Sequence, residues 1–335
     1  MSCGPLLVSR LLFHASKWRD GVTAYVARRL LLAIPTLMVI MLLVFSILRL
    51  LPGDIIKLMI AEQNYAVDEA ALRKELGLAD PAPVQFIKWI SGVVRGDFGK
   101  SLWTKQPIGE ELKRRFPVSA EFGLYSVLIG VLIAIPVGII SAIRQDTWLD
   151  YLFRSLSIGL ISVPGFWLAT LLLVFPVIWW GWTPPLTYVG WTENPLEHLY
   201  YFFWPALLLG AGLSGTTMRL TRNQMLEVLR QDYIRTAAAK GLSEMRVITR
   251  HALRNALIPV ITVIGLQIAA VVSGTVIFES IFSIPGVGRF YFQAILFRDY
   301  PSVQATALFI AITVLLVNIA IDLVYAVIDP RIRFA

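Results

Sequence analysis

Residues 219–254 read RLTRNQMLEVLRQDYIRTAAAKGLSEMRVITRHALR, and the reading of this stretch decides the fold. It carries eight basic residues: Arg219, Arg222, Arg230, Arg235, Lys240, Arg246, Arg250 and Arg254. Long apolar runs precede and follow it. A short basic loop between two apolar runs is retained on the cytoplasmic side of a membrane, because Lys and Arg resist translocation. The chain therefore reads as an all-α, polytopic membrane protein whose sidedness is set by this loop.

Composition agrees. Hydrophobic residues make up 57% of the 335 and charged residues 16%, with a mean hydropathy of +0.69. Soluble domains carry about 25% charged residues, so lipid is the expected solvent. The net charge of +8 sits beside apolar spans rather than in basic–aromatic stretches, which argues against nucleic-acid binding. Cys3 is the one cysteine, so neither an intrachain disulfide nor a cysteine-based metal site can form. His14, His198 and His251 are far apart and show no paired-ligand spacing.

A helix needs about 20 apolar residues to cross the hydrocarbon core. Six segments qualify: Leu30–Leu48, Ser119–Ile143, Leu156–Trp182, Phe202–Met218, Leu257–Phe282 and Val303–Ile328. The third contains Pro164, Gly165 and Pro176, so a tilt or kink is expected there. The fourth is diluted by Gly210, Gly212, Ser214 and Gly215. Residues 1–24 read as a cytoplasmic extension rather than a leader, because the apolar run Leu11–Phe13 is too short. Arg10, Lys17, Arg19, Arg28 and Arg29 place the N-terminus inside, and Arg331 and Arg333 place the C-terminus there too.

Segment 52–118 then lies outside as a helical cap. Asp68–Gly77 reads as one short helix. Val84–Val94 reads as a second, with Phe86, Trp89, Ile90 and Val93 on one face. Trp179, Trp180, Trp182 and Trp191 mark an outer aromatic belt. Gly99-Lys100-Ser101 resembles the end of a phosphate-binding loop, but Val94 stands where its first glycine belongs, so nucleotide binding by this chain is rejected.

Within loop 219–255, Leu226, Leu229, Tyr233 and Ala237 share one helical face. Gly241 is placed to end that helix. Ser243 can cap the next, with Glu244 in its first turn. Met245, Ile248 and Ala252 form the apolar side of this second helix, and Arg246, Arg250 and Arg254 form a stripe. Periodicity alone also permits an ordinary amphipathic loop lying on lipid headgroups.

Asp232-Tyr-Ile-Arg-Thr-Ala-Ala-Ala-Lys-Gly-Leu242, followed by Arg250-His-Ala-Leu-Arg-Asn-Ala-Leu-Ile-Pro259, closely resembles the cytoplasmic loop of ABC importer permeases, most of all the oligopeptide, dipeptide and nickel branch. Arg28–Pro35, Leu51–Asp54, Arg95–Ser101, Ser280–Arg289, Asp322–Tyr325 and Asp329–Arg331 resemble the same branch in the right order. Arg95–Ser101 resembles the outer segment of the first of its two permease subunits. Two departures from the general motif, Arg235 in place of Glu and Leu253-Arg254 in place of Leu-Pro, resemble that branch as well.

The resemblance implies a type I ABC importer permease fold with six transmembrane helices over residues 25–335, in a bacterial or archaeal inner membrane. It implies partners: a second homologous permease, two ATPase subunits holding ATP and Mg, and an external substrate-binding protein. The chain itself would carry no cofactor and no catalytic centre. Coupling to the ATPase would fall to Tyr233, Thr236, Ala237, Lys240, Gly241, Leu242, Arg246 and Arg250. The glycine is expected there because a side chain would crowd the tight turn. The arginine stripe has two readings, contact with lipid phosphate or with ATPase carboxylates.

Intramembrane polar residues usually face the bundle interior. Gln267, Ser273 and Thr275 in the fifth span and Thr306, Thr313 and Asn318 in the sixth are therefore candidates for the path, Gln267, Ser273, Thr275 and Asn318 foremost, with interhelical hydrogen bonding as the plainer reading of each. Asp322 is expected to pair with an arginine, and Glu121 and Glu279 to be structural. The substrate implied is a short peptide, with nickel chelates, glutathione or glycosides as alternatives. A secondary transporter driven by an ion gradient is the alternative of another class.

Overall fold

A computed structural model describes residues 5–50, 56–57, 60, 69–75 and 78–328, with backbone alone at 5–24, 71–72, 75, 273–274 and 325–328. The quoted stretches Leu51–Asp54 and Asp329–Arg331, the expected helix end Gly77 and the side chain of Ser273 lie outside the described residues. Among the described residues there is no β-strand, only one isolated bridge between Lys100 and Pro107.

The first helix, α1 (Pro5–Leu50), is continuous from the N-terminal extension through the first span. In segment 52–118, α2 (Glu69–Glu75) and α3 (Ala82–Val94) form where acids or prolines open a helix. On α3, Phe86, Trp89, Ile90 and Val93 are the half-buried apolar side chains, as their spacing requires. Phe86 packs edge-on against Phe45 of α1 with ring centroids 4.9 Å apart.

Helix α4 (Ile108–Ile143) follows. The third span is not one kinked helix but two, α5 (Trp148–Ser162) and α6 (Gly165–Trp180), bent 93° to each other. Pro164 disfavours helical geometry at Val163 and cannot donate to the preceding turn, so the break is sharper than the expected kink. Gly181, at φ +63, ends α6 in the left-handed conformation. Helix α7 (Pro195–Leu229) opens on Asn194, whose Oδ1 accepts from the backbone N–H groups of Leu196 and Glu197.

The basic loop 219–255 holds α8 (Asp232–Ala239), the short α9 (Glu244–Arg246) and a π-helical segment Val247–Ala252. That segment leads into α10 (Leu253–Gly274). The fifth span therefore stops at Gly274 rather than Phe282, and α11 (Val276–Ile281) is a separate helix. Helices α12 (Val287–Leu296) and α13 (Tyr300–Ile328) complete the described chain.

Among the described residues, four helical stretches are long and apolar enough to cross a membrane: Tyr25–Leu50, Ile108–Ile143, Glu244–Val272 and Tyr300–Val324. The broken pair α5–α6 makes a fifth if it is one span. The expected fourth span lies inside α7, which is long enough but too polar to qualify on composition. Its small residues have a packing reason. A Cβ on Gly210 would lie 2.5 Å from the carbonyl oxygen of Ser126, and one on Gly130 would lie 2.9 Å from that of Gly210. Glycine lets α4 and α7 approach backbone to backbone, as small residues do in membrane helix pairs. This is the most extensive helix contact in the molecule.

The core sits at the outer half of that pair. Phe122 of α4, Tyr201 and Phe202 of α7, Phe278 of α11 and Phe282 are buried together. Asp299 ties the outer segment down, accepting from Ser101 Oγ at 2.6 Å and from the backbone of Leu102 at 3.1 Å. Ser101 of the Gly-Lys-Ser triplet is thus a buried structural hydroxyl.

Candidate coupling loop and transport path

The loop is built by apolar anchoring on its inner side. Ile234 and Ala237 of α8 and Val247, Ile248 and Ala252 of the π segment are buried with Met225 of α7 and Ala142 at the end of α4. Leu226, Leu229 and Leu242 pack against this cluster. Each large side chain so buried contributes about 1.5–3 kcal/mol relative to exposure. The loop is therefore docked on the ends of α4 and α7 as one body.

Three expected features differ. Tyr233 does not join the apolar face; it is 43% exposed. The helix breaks at Arg230–Gln231, so the run Leu226–Leu229–Tyr233–Ala237 does not keep a single phase. Met245 is 70% exposed while Val247 is buried in its place. Ile248 and Ala252 stay on the expected face; the π winding of 247–252, with its i→i+5 bonds, shifts the phase of the turn before it, and Met245 falls off that face. Ser243 occupies the cap position of α9, but its side chain makes no capping hydrogen bond.

The turn between the helices centres on Gly241, at φ +79. A Cβ there would meet nothing within 4 Å. Crowding inside the chain is thus not the reason for glycine; the left-handed backbone is, because that conformation penalises side chains. The exposed surface of the loop carries Thr236, Lys240, Gly241, Met245, Arg246, Arg250 and Arg254. Ala237 and Leu242 face inward as anchors. Thr236 turns its hydroxyl back to the carbonyl of Asp232 at 2.9 Å. Tyr233 is held by Asn255, whose Nδ2 donates to the phenolic oxygen at 2.8 Å.

A buried ion pair above the loop went unnoticed in the sequence. Arg222 donates through Nε and Nη2 to the two carboxylate oxygens of Asp150, both at 2.7 Å. Ser141 Oγ and the Asp146 backbone N–H complete the carboxylate's partners. Asp150 is fully buried, and the pair fastens the inner ends of α4, α5 and α7. The available signal was one acid in the first turn of the apolar helix α5.

The largely apolar cavity between α4, α10 and α13 has a volume of about 270 Å³. Its walls include Ser119, Gly123, Leu124, Val271, Phe309 and Ile310, with Thr275 and Thr313 as polar points. Of the expected path residues whose side chains are described, Thr275 and Thr313 are brought to this cavity. Gln267 is spent on helix packing: its Nε2 donates to the Leu213 carbonyl at 2.9 Å and its Oε1 accepts from Thr217. Asn318 is half-buried on α13, outside the cavity lining.

The carboxylates behave as structural groups. Asp322 pairs with Arg29 at 3.0 Å and accepts from Tyr25 at 2.7 Å. Glu279, fully buried, accepts from Ser119 Oγ at 2.8 Å and from the Arg289 backbone N–H at 2.9 Å. Glu121 contacts His198 Nε2 at 2.9 Å, and His198 Nδ1 lies 2.8 Å from the Val189 carbonyl oxygen. Beside them, burial and the neighbouring carboxylates Glu121 and Glu193 push the Tyr188 phenol up from its ordinary range. Among the described residues no group of three or more His, Cys, Asp or Glu side chains could hold a metal.

Among the described residues, the long apolar helices, the small-residue packing of α4 on α7 and the docked helix–glycine–helix loop define a helical membrane protein. Two profiles match the chain: the binding-protein-dependent transport system inner membrane component over residues 134–334, and the N-terminal membrane component of such systems over residues 22–122. The chain belongs to this family of binding-protein-dependent transport permeases. It is 38% identical over 313 residues to a putative peptide transport system permease protein of Brucella abortus (strain 2308), covering 93% of this chain and 100% of that one. It is 38% identical over 333 residues to the dipeptide transport system permease protein of Escherichia coli (strain K12), covering 92% and 98%. It is 38% identical over 310 residues to the glutathione transport system permease protein of Salmonella paratyphi A, covering 92% and 99%. In fold it is similar to a chain of the inward-facing methionine ABC transporter, with a TM-score of 0.51 and 16% identity, over 65% of this chain and 96% of that chain.

Proposed function

We propose that this chain is the first of two permease subunits in an ATP-driven importer of short peptides. The observation that carries the proposal is the docked loop, whose anchors face inward while Lys240, Gly241, Met245 and Arg246 are offered at its tip. Such a tip is shaped to rest on a separate ATPase subunit. Two ATPases would hold ATP and Mg, and an external binding protein would deliver the substrate. The remaining wall of the path would come from the second permease, facing the cavity at Thr275 and Thr313. Six spans with both termini in the cytoplasm fit the eight basic residues of residues 219–255. Peptide as substrate is supported by the names of the Brucella and Escherichia relatives. Glutathione is the second reading, supported by the equal identity of the Salmonella relative.

The test is reconstitution of the four-subunit complex with its binding protein in proteoliposomes. ATP-dependent uptake of labelled dipeptides is expected, and Gly241→Arg is expected to abolish it while leaving membrane insertion intact. Uptake that survives the substitution would refute the coupling role. Uptake of glutathione but not of dipeptides would select the second reading.

A further inference from the structure

A cavity of about 200 Å³ opens between α5 and α7, beside the buried Asp150–Arg222 pair. Arg154 and Arg219 line it together with Asn223, and Phe153, Ile158 and Met218 supply apolar wall. Arg222 is already committed to Asp150. Arg154 and Arg219 make no ion pair among the described residues, and the side chain of Asn223 makes no hydrogen bond there. Arg154 has only the ring of Tyr151 beside it, 5.7 Å from the guanidinium.

The surroundings are those of a membrane interface. On α5, Trp148 is 72% exposed and Tyr151 55% exposed, followed along the helix by exposed Leu152, Leu156 and Ile158. Aromatic rings of this kind sit at headgroup level, with aliphatic side chains below them in the hydrocarbon. The cavity thus joins a cationic mouth to an apolar flank at one depth. Basic pockets between helices on the cytoplasmic side are suited to anionic headgroups, because that leaflet is negatively charged.

We propose that this cavity binds the phosphate of an anionic phospholipid from the cytoplasmic leaflet, between Arg154 and Arg219, with Asn223 as a further donor. The acyl chains would lie along Ile158, which lines the cavity, and Ile161, the exposed aliphatic side chains on the same side of α5. A guanidinium pair suits a phosphodiester because each fork can donate two parallel hydrogen bonds. The proposal rests on the sidedness proposed above. An ATPase surface is the less favoured occupant, because the exposed flank of α5 is aliphatic and aromatic.

The experiment uses the assembled transporter in neutral detergent, titrated with phosphatidylglycerol, phosphatidylcholine or inorganic phosphate and read by native mass spectrometry. Phosphatidylglycerol is expected to bind about thirtyfold more tightly than phosphatidylcholine, the scale set by two basic side chains at an anionic surface. R154Q/R219Q should erase that preference, while R144Q/R230Q, which removes equal charge elsewhere in the inner loops, should retain it. Retention of the preference in R154Q/R219Q, an equal loss in both double variants, or full competition by inorganic phosphate would each overturn the proposal. Loss of ATPase subunits from R154Q/R219Q with lipid preference unchanged would assign the cavity to a protein contact instead. Labelling of Arg230→Cys in a Cys3→Ser background, from outside and after permeabilisation, tests the sidedness on its own.

Discussion

Asn255, two residues into α10, donates to the phenolic oxygen of Tyr233, 22 residues earlier in α8. This bond crosses the Gly241 turn and ties the tip helix to the span it precedes. A net hydrogen bond is worth about 0.5–1.5 kcal/mol. Tyr233→Phe should therefore reduce the docked population of the loop by about two- to tenfold and slow ATP-driven uptake accordingly. Thermal unfolding of the chain should hardly change, because both groups are exposed. Uptake equal to wild type in Tyr233→Phe proteoliposomes would show that the bond plays no part in coupling.

Asp150 and Arg222 form a buried, bidentate pair, so removing one partner strands a charge. Arg222→Met alone should cost about 3–5 kcal/mol, read as a fall in melting temperature in detergent. The double substitution Asp150→Leu with Arg222→Met should recover most of that loss, because a matched apolar pair leaves no stranded group. A double variant as unstable as the single one would contradict this account.

The backbone approach of α4 and α7 leaves no room for a methyl group at Gly210. Gly210→Ala should destabilise the chain by about 1–3 kcal/mol, the usual cost of overpacking. Gly212→Ala is the control, since a Cβ there meets nothing within 4 Å. Equal melting temperatures for the two variants would remove the steric explanation.

Gly241 separates two effects that a single substitution would confuse. Gly241→Asn should be nearly neutral, because asparagine tolerates the left-handed region. Gly241→Val should cost about 1–2 kcal/mol of local stability, seen as faster proteolysis at residues 239–243 with the rest of the chain still resistant. An undisturbed protease pattern in Gly241→Val would show that the turn is not strained by a side chain.

Much of the helical plan was legible because periodicity and apolar length are properties of neighbouring residues. The half-buried face Phe86–Trp89–Ile90–Val93 followed from spacing alone, and the turn at Gly241 from its residue type. What escaped depended on partners distant in sequence or on winding. Gln267 looked like a path residue until α7 came close enough for Leu213 and Thr217 to satisfy it. On the second helix Ile248 and Ala252 face inward as their spacing predicts, and Met245 alone does not, because a π turn cannot be told from an α turn by residue type. The Asp150–Arg222 pair joins positions 72 residues apart, and no local pattern marks such a pairing. Pro164 announced a disturbance, yet only packing decides whether a proline yields a bend or a 93° corner.

The α4–α7 pair is fastened at three depths: by Arg222, which reaches Asp150 under Ser141 at the inner end, by Gly130 against Gly210 in the middle, and by His198 on Glu121 at the outer end. At about 1.5 Å per residue, this makes a beam on the order of 50 Å long. A beam pinned along its length cannot absorb a thrust by shear. Under the proposed coupling, force applied at the Gly241 turn would arrive at the far end as tilt, and the compliance would collect at the corner at Val163–Pro164, because the helix beyond Thr275 is itself tied to α4 through Glu279 and Ser119. That corner, rather than the stiff pair beside it, is where the proposed path would change width.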